Sequence, residues 1–99
     1  MAKYKVYIDP PAFHEMKELP GNIRQRLRQA ALALADNPRP PGSQALKADK
    51  PGWEVHRLRL EVWRLVYAVQ DSEARVVVLG VRKRPPYRYG DLEELLKRL

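Results

Sequence analysis

The chain has 99 residues, 44% hydrophobic and 31% charged, a composition of one small globular domain rather than a disordered segment. A formal net charge of +7 favours a polyanionic partner such as nucleic acid, and the absence of cysteine excludes disulfides, thiol catalysis and thiolate zinc sites. No apolar run approaches the ~20 residues that span a bilayer, the N-terminal stretch lacks a signal-peptide apolar region, and the two histidines are far apart, so the expectation is a cytoplasmic protein with no membrane role, no metal and no small-molecule cofactor.

Lys3 to Ile8 alternates, with Tyr4, Val6 and Ile8 on one side, and predicts a half-buried first strand. Asp9 is placed to N-cap a short helix with Pro10 at its first position, marked by Phe13, Met16 and Leu19 and closed by Pro20-Gly21. A second helix is predicted from Asn22 to about Asp36, because Ile23, Leu27, Ala30, Ala31 and Leu34 build one apolar stripe; Asn37-Pro38 stops it. The two helices read as an antiparallel pair packed on a sheet. From Pro38 to Gly52 prolines and glycines break any regular pattern, and a loop pinned by Leu46 is expected. Three strands follow: one through His56 to Leu60, one from Trp63 to Val69, and, after the turn Asp71-Ser72-Glu73, one from Arg75 to Val81. From Gly90, Leu92, Leu95, Leu96 and Leu99 recur at helical spacing, with acids at the start and Lys97 and Arg98 at the end, matching the macrodipole. So short a helix must dock on its own sheet or on something else.

Period-2 alternation puts Arg57 and Arg59 on one face of their strand and Leu58 and Leu60 on the other. Arg64 sits between Trp63 and Leu65 in the most apolar strand, where an arginine is costly unless it meets an anion or reaches solvent at a strand end. With Lys83, Arg84 and Arg88 these residues form a candidate phosphodiester clamp, since guanidinium groups offer forked donors and keep their charge; a solvated basic face is the alternative. Tyr87 and Tyr89 flank Arg88 and suit stacking on an unpaired base, a contact worth about 1–3 kcal/mol, or else they cover the sheet edge. His56 is a general-base candidate by its ordinary pKa, but its parity is that of Leu58 and Leu60, which turns it away from Arg57 and Arg59. Glu54 and Glu61 read as salt-bridge partners, and Trp53 and Trp63 as core or core-rim residues.

In this order and spacing the chain resembles toxins of the RelE/ParE superfamily from bacterial and archaeal toxin–antitoxin pairs. The resemblance runs nearly full length. It takes in the first strand, the helix hairpin closing with Asn37-Pro38-Arg39-Pro40, the loop with Ala45-Leu46-Lys47, His56-Arg57-Leu58-Arg59, the Trp63 to Tyr67 strand, Lys83-Arg84 and Tyr87-Arg88. It implies a single RelE-like toxin domain over residues 1–99. The implied fold is α+β: an antiparallel four-stranded sheet covered by an N-terminal helix hairpin, with a short C-terminal helix, in the order β-α-α-β-β-β-α. It also implies a cognate antitoxin that wraps the toxin. RelE-like members cut mRNA in the ribosomal A site, whereas ParE-like members block DNA gyrase.

The RelE-like branch is the expectation here, with a ParE-type gyrase inhibitor or a non-toxic RNA-binding module on the same fold as alternatives. Carried over by residue, the resemblance implies Arg64 and Arg84 on the scissile phosphate and Arg57 and Arg59 on backbone phosphates or the 2′-oxygen. Tyr87, or failing that Tyr89, would stack on a base, and Lys83 and Arg88 would bind substrate. The chain departs from the pattern in having Arg57 and Arg59 where the well-studied branch has lysines, and in a shorter spacing from Arg84 to Tyr87. Glu61 stands where many relatives have a turn glycine, which implies a looser or bulged hairpin. The leucines of the last element suggest a movable terminal helix whose apolar groove an antitoxin helix would occupy.

Overall fold

The computed structural model describes residues 3–47, 50–83 and 90–99. The N-terminal alternation forms β1 (Lys5–Ile8), with Val6 and Ile8 packed inward and Lys5 and Tyr7 exposed. α1 (Pro10–Lys17) starts on its two prolines and buries Ala12 and Met16. Asp9 holds the N-cap position, but its side chain makes no capping hydrogen bond and instead accepts from Arg98 near the other end of the chain. α2 (Gly21–Ala33) buries Leu27 and Ala31 and ends at Ala33, with Leu34–Asp36 forming a turn rather than a further helical turn.

The sheet corrects the expected four antiparallel strands in two ways. Among the described residues it has five, β2 (Ser43–Leu46), β3 (Glu54–Leu60), β4 (Trp63–Gln70) and β5 (Arg75–Arg82) joining β1 in the order β1-β5-β4-β3-β2. β2 lies in the stretch expected to be a loop. Gly42 turns the chain at φ 91°, Ser43 N–H donates to the Pro40 carbonyl, and the next residues pair antiparallel with β3, from Ser43 opposite Leu58 to Leu46 opposite Val55. Nothing apolar and periodic marks this strand; the backbone groups along the outer edge of β3 recruit it. β1, in turn, pairs with β5 in parallel, the intervening helices and antiparallel strands serving as the long crossover that such a pair requires.

Both faces of the sheet are covered. Ala12, Met16, Leu27, Ala31 and Leu34 pack on Leu58, Leu65, Tyr67, Val76 and Val78 on one side. On the other, α3 (Leu92–Leu96) sets Leu92 and Leu96 against Val55, Val66, Ala68 and Leu79. Burial on both faces is why β4 reads as an almost continuous apolar run. A register shift opposite Val66 and Tyr67 leaves Leu79 as an extra residue in β5, so that Val78 and Val81 both join the α1–α2 side while Leu79 joins the α3 side. A 3-10 turn, Asp71–Glu73, links β4 to β5 through Ala74 at φ 51°. The β3–β4 hairpin is not bulged. Its register is unbroken from Glu54 opposite Val69 to Leu60 opposite Trp63, and Glu61 adopts φ 56° in the two-residue turn where a glycine would be at ease.

Candidate nucleic-acid interface

β3 and β4 carry Arg57, Arg59 and Arg64 on the face opposite the α1–α2 pair. Arg59 lies directly across from Arg64, and Arg64 across from Arg82 of β5, so three adjacent strands contribute a row of guanidinium groups. Arg57 sits two residues along, opposite Val66 and Gln44. Like charges placed opposite one another destabilise a sheet, and each of these side chains is held by acceptors or turned to solvent. Arg82, 15% exposed, is matched by Asp91 at 2.6 Å to both carboxylate oxygens and by Glu15 at 3.5 Å. Burial pushes the Glu15 carboxyl up, opposed by the charge of Arg82. Arg64 Nη1 donates to the backbone carbonyls of Glu61 and Trp63, each at 2.9 Å. Arg57 donates to the Gln44 side chain, and Arg59 is exposed.

Arg57, Arg59 and Arg64 are thus brought together by the backbone register. Lys83 is not: its Nζ lies 5.8 Å from the centre of the Trp63 ring, which packs in the α1–α2 core. Arg84, Tyr87, Arg88 and Tyr89 lie outside the described residues. Arg82 joins the row, although the sequence reading gives it no role on the phosphate. Simple alternation from Val76 and Val78 would put it with the α1–α2 core, and only the extra residue at Leu79 turns it to the arginine row.

His56 stands on the opposite face, as its parity predicts. It is 6% exposed, stacks on Tyr67 with ring centres 5.6 Å apart, and places Nε2 3.1 Å from Glu54 Oε1. Its Nδ1 is buried with no hydrogen-bond partner among the described residues. Glu54 belongs to a polar network at the far end of β3 from the Arg59–Arg64 row. Arg39 bridges Glu54 at 3.1 Å and Asp71 at 2.8 Å, and the Tyr4 hydroxyl donates to Asp71 at 2.7 Å. Hydrogen bonds from His56 and then Arg39 hold the Glu54 carboxyl below its usual range, and those from Tyr4 and then Arg39 do the same for Asp71. Glu61 pairs with Arg26 of α2 at 2.8 Å, so both glutamates are ion-pair partners. Trp63 is buried, and half-buried Trp53 packs beside the α3 cluster with the Arg75 guanidinium over its ring. Among the described residues no group of three or more potential ligands is placed to hold a metal, and no helix is long and apolar enough to cross a membrane.

Guanidinium groups at a strand end can bind a phosphate and stabilise negative charge that builds on it. They are poor proton carriers, because their pKa exceeds about 12. The α+β fold of five strands and three helices is that of a toxin of the RelE/ParE superfamily. The chain belongs to the ParE toxin family of type II toxin–antitoxin systems, parDE, whose sequence model matches residues 6–85. Its fold is similar to that of RelE in the archaeal RelE–RelB complex from Pyrococcus horikoshii OT3, with a TM-score of 0.75 at 21% identity, covering 84% of this chain and 97% of that one. It is likewise similar to a chain of the toxin–antitoxin complex RelBE2 from Mycobacterium tuberculosis, with a TM-score of 0.71 at 26% identity over 85% of this chain and 94% of that one. The isolated E. coli RelE toxin gives a TM-score of 0.62 at 27% identity over 96% and 97% of the two chains. No curated protein matches the sequence.

Proposed function

We propose that this toxin cleaves mRNA in the ribosomal A site and so inhibits translation, and that a cognate antitoxin neutralises it. The observation that carries the reading is the convergence of Arg57, Arg59 and Arg64 on one face, fixed by the unbroken β3–β4 register. In the reaction the ribose 2′-oxygen attacks the adjacent phosphorus, the bond to the 5′-oxygen breaks, and the phosphate is left as a 2′,3′-cyclic diester. The 2′-hydroxyl loses a proton and the leaving oxygen gains one. Arg64 and Arg84 stabilise the charge that builds on the phosphoryl oxygens, Arg57 and Arg59 hold neighbouring phosphates or the 2′-oxygen, and Tyr87 stacks on a base, with Arg88 and Tyr89 as further contacts. The site is active in the cytoplasm, where ribosomes and message are found. An antitoxin helix displaces α3 from its apolar bed of Val55, Val66, Ala68 and Leu79; the RelE–RelB and RelBE complexes among the similar structures support such a partner.

The test is to incubate the purified protein with a defined mRNA, with and without ribosomes stalled on it, and to map the 5′ ends by primer extension. Cuts within the A-site codon, seen only with ribosomes and reduced by about 10²–10³-fold or more in Arg64→Ala, are the expected outcome. Intact message in both tubes sinks the reading. The match to the ParE family favours a second one, non-catalytic inhibition of DNA gyrase, in which the basic face is a docking surface. A supercoiling assay run in parallel separates the two.

A further inference from the structure

We infer that the Arg26–Glu61 ion pair is a positioning device for Arg64, reaching from α2 to the β3–β4 turn to hold the guanidinium in place. The inference rests on the phosphate-binding role proposed for Arg64. Glu61 occupies a left-handed position, φ 56°, in a two-residue hairpin turn. Side chains with a Cβ are disfavoured there, and glycine or asparagine is the usual occupant. Stability alone does not account for the glutamate, because its partner Arg26 and Glu61 itself are 46% and 56% exposed, and exposed pairs of this kind contribute little. What the residue controls is its own carbonyl. That oxygen accepts from Arg64 Nη1 at 2.9 Å, beside the Trp63 carbonyl on the same nitrogen. Anchoring the Glu61 carboxylate to α2 at 2.8 Å fixes the turn, and the turn fixes the direction of the carbonyl that Arg64 follows.

Two variants of the full-length protein test this from the two ends of the pair, Arg26→Ala and Glu61→Gly. Side-chain 15N NMR, with the Arg64 signal assigned by its loss in Arg64→Lys, reads rotation of the guanidinium about Nε–Cζ. We expect slow rotation in the parent and at least roughly tenfold faster rotation in both variants, with Arg26→Lys falling between. Glu61→Gly should melt at the same temperature as the parent or higher, since glycine relieves the left-handed backbone, yet lose roughly ten- to a hundredfold in the ribosome-dependent cleavage rate at unchanged KM. Unaltered Arg64 rotation in both variants overturns the inference, as does freed rotation with unaltered cleavage. If the parent cleaves nothing, the nuclease reading fails while the NMR comparison still decides whether the pair orders Arg64.

Discussion

Arg64 and Tyr67 stand three residues apart on one strand and point to opposite faces of the sheet. Arg64 Nη1 donates to the Glu61 and Trp63 carbonyls beside the turn, and the neighbouring Arg82 meets two carboxylates. Tyr67 points the other way. Its ring is fully buried under the helices, and its hydroxyl donates to the Pro38 carbonyl at 2.6 Å. Burial pushes its phenol up to about 12, so it stays protonated through any ordinary pH. Tyr67→Phe keeps the packing and the stack on His56 but leaves a buried carbonyl unpaired, which should cost about 1–2 kcal/mol. At roughly 4–8 °C per kcal/mol for a domain of this size, thermal unfolding would show the loss plainly. Cleavage at a permissive temperature should be retained, because the hydroxyl lies on the face away from the arginines; an unchanged melting temperature would show that the Pro38 bond contributes nothing.

Among the elements, α3 is the one whose attachment can be separated from the rest. Five helical residues cannot persist alone in water. Leu92 and Leu96 bury against the sheet, and ion pairs tie the segment down at both ends, Arg82 to Asp91 and Arg98 to Asp9. Replacing a buried leucine with alanine costs about 2–5 kcal/mol where a cavity must remain, but a short terminal helix can let go instead, and the loss is then capped at its docking free energy. For Leu96→Ala we therefore expect hydrogen exchange of the α3 amides to rise towards that of exposed segments while β3, β4 and β5 keep their protection. Equal loss of protection in the strands would make α3 part of the cooperative core and would count against its displacement by an antitoxin. This helix was legible in the sequence because leucine spacing and charge order are local properties. β2 was not, because what makes Ser43–Leu46 a strand is the edge of β3, whose pairing residues, from Val55 to Leu58, lie beyond an irregular stretch of the chain. The bulge at Leu79 was hidden for the same reason: it satisfies both covers of the sheet, and no single segment records that demand.

At the scale of the whole molecule, the basic face was readable as far as local alternation reaches. Parity alone placed Arg57 and Arg59 together and turned His56 away, since the β3–β4 register has no slip. It did not reveal the network that closes the opposite end, because Tyr4, Arg39, Glu54, His56 and Asp71 come from four separate parts of the chain. That network ties the residue before β1, the segment after α2, the start of β3 and the turn after β4, and its protonation should weaken the fold in acid, by an amount that solvent screening of its exposed carboxylates keeps small. Asp71 and Glu54 are held below their ordinary values of 3.8 and 4.5, so the unfolded chain binds more protons than the folded one in this range. Stability therefore rises with pH there. The contribution is fully present above about pH 4.5–5 and is lost as the pH falls through the lowered folded values. Glu15 works in the opposite sense: burial raises its carboxyl, the folded chain takes up that proton first, and its ionisation weakens the fold as the pH climbs through and above 4.5. Melting temperature measured from pH 7 down to pH 3 should then fall for the parent. The fall should be shallower for Asp71→Asn, which starts lower at pH 7, and steeper for Glu15→Gln, which keeps the side chain's size and removes the opposing proton. Parallel acid limbs for all three would place the acid sensitivity elsewhere and leave the Tyr4–Asp71–Arg39 bridge as a solvated surface contact.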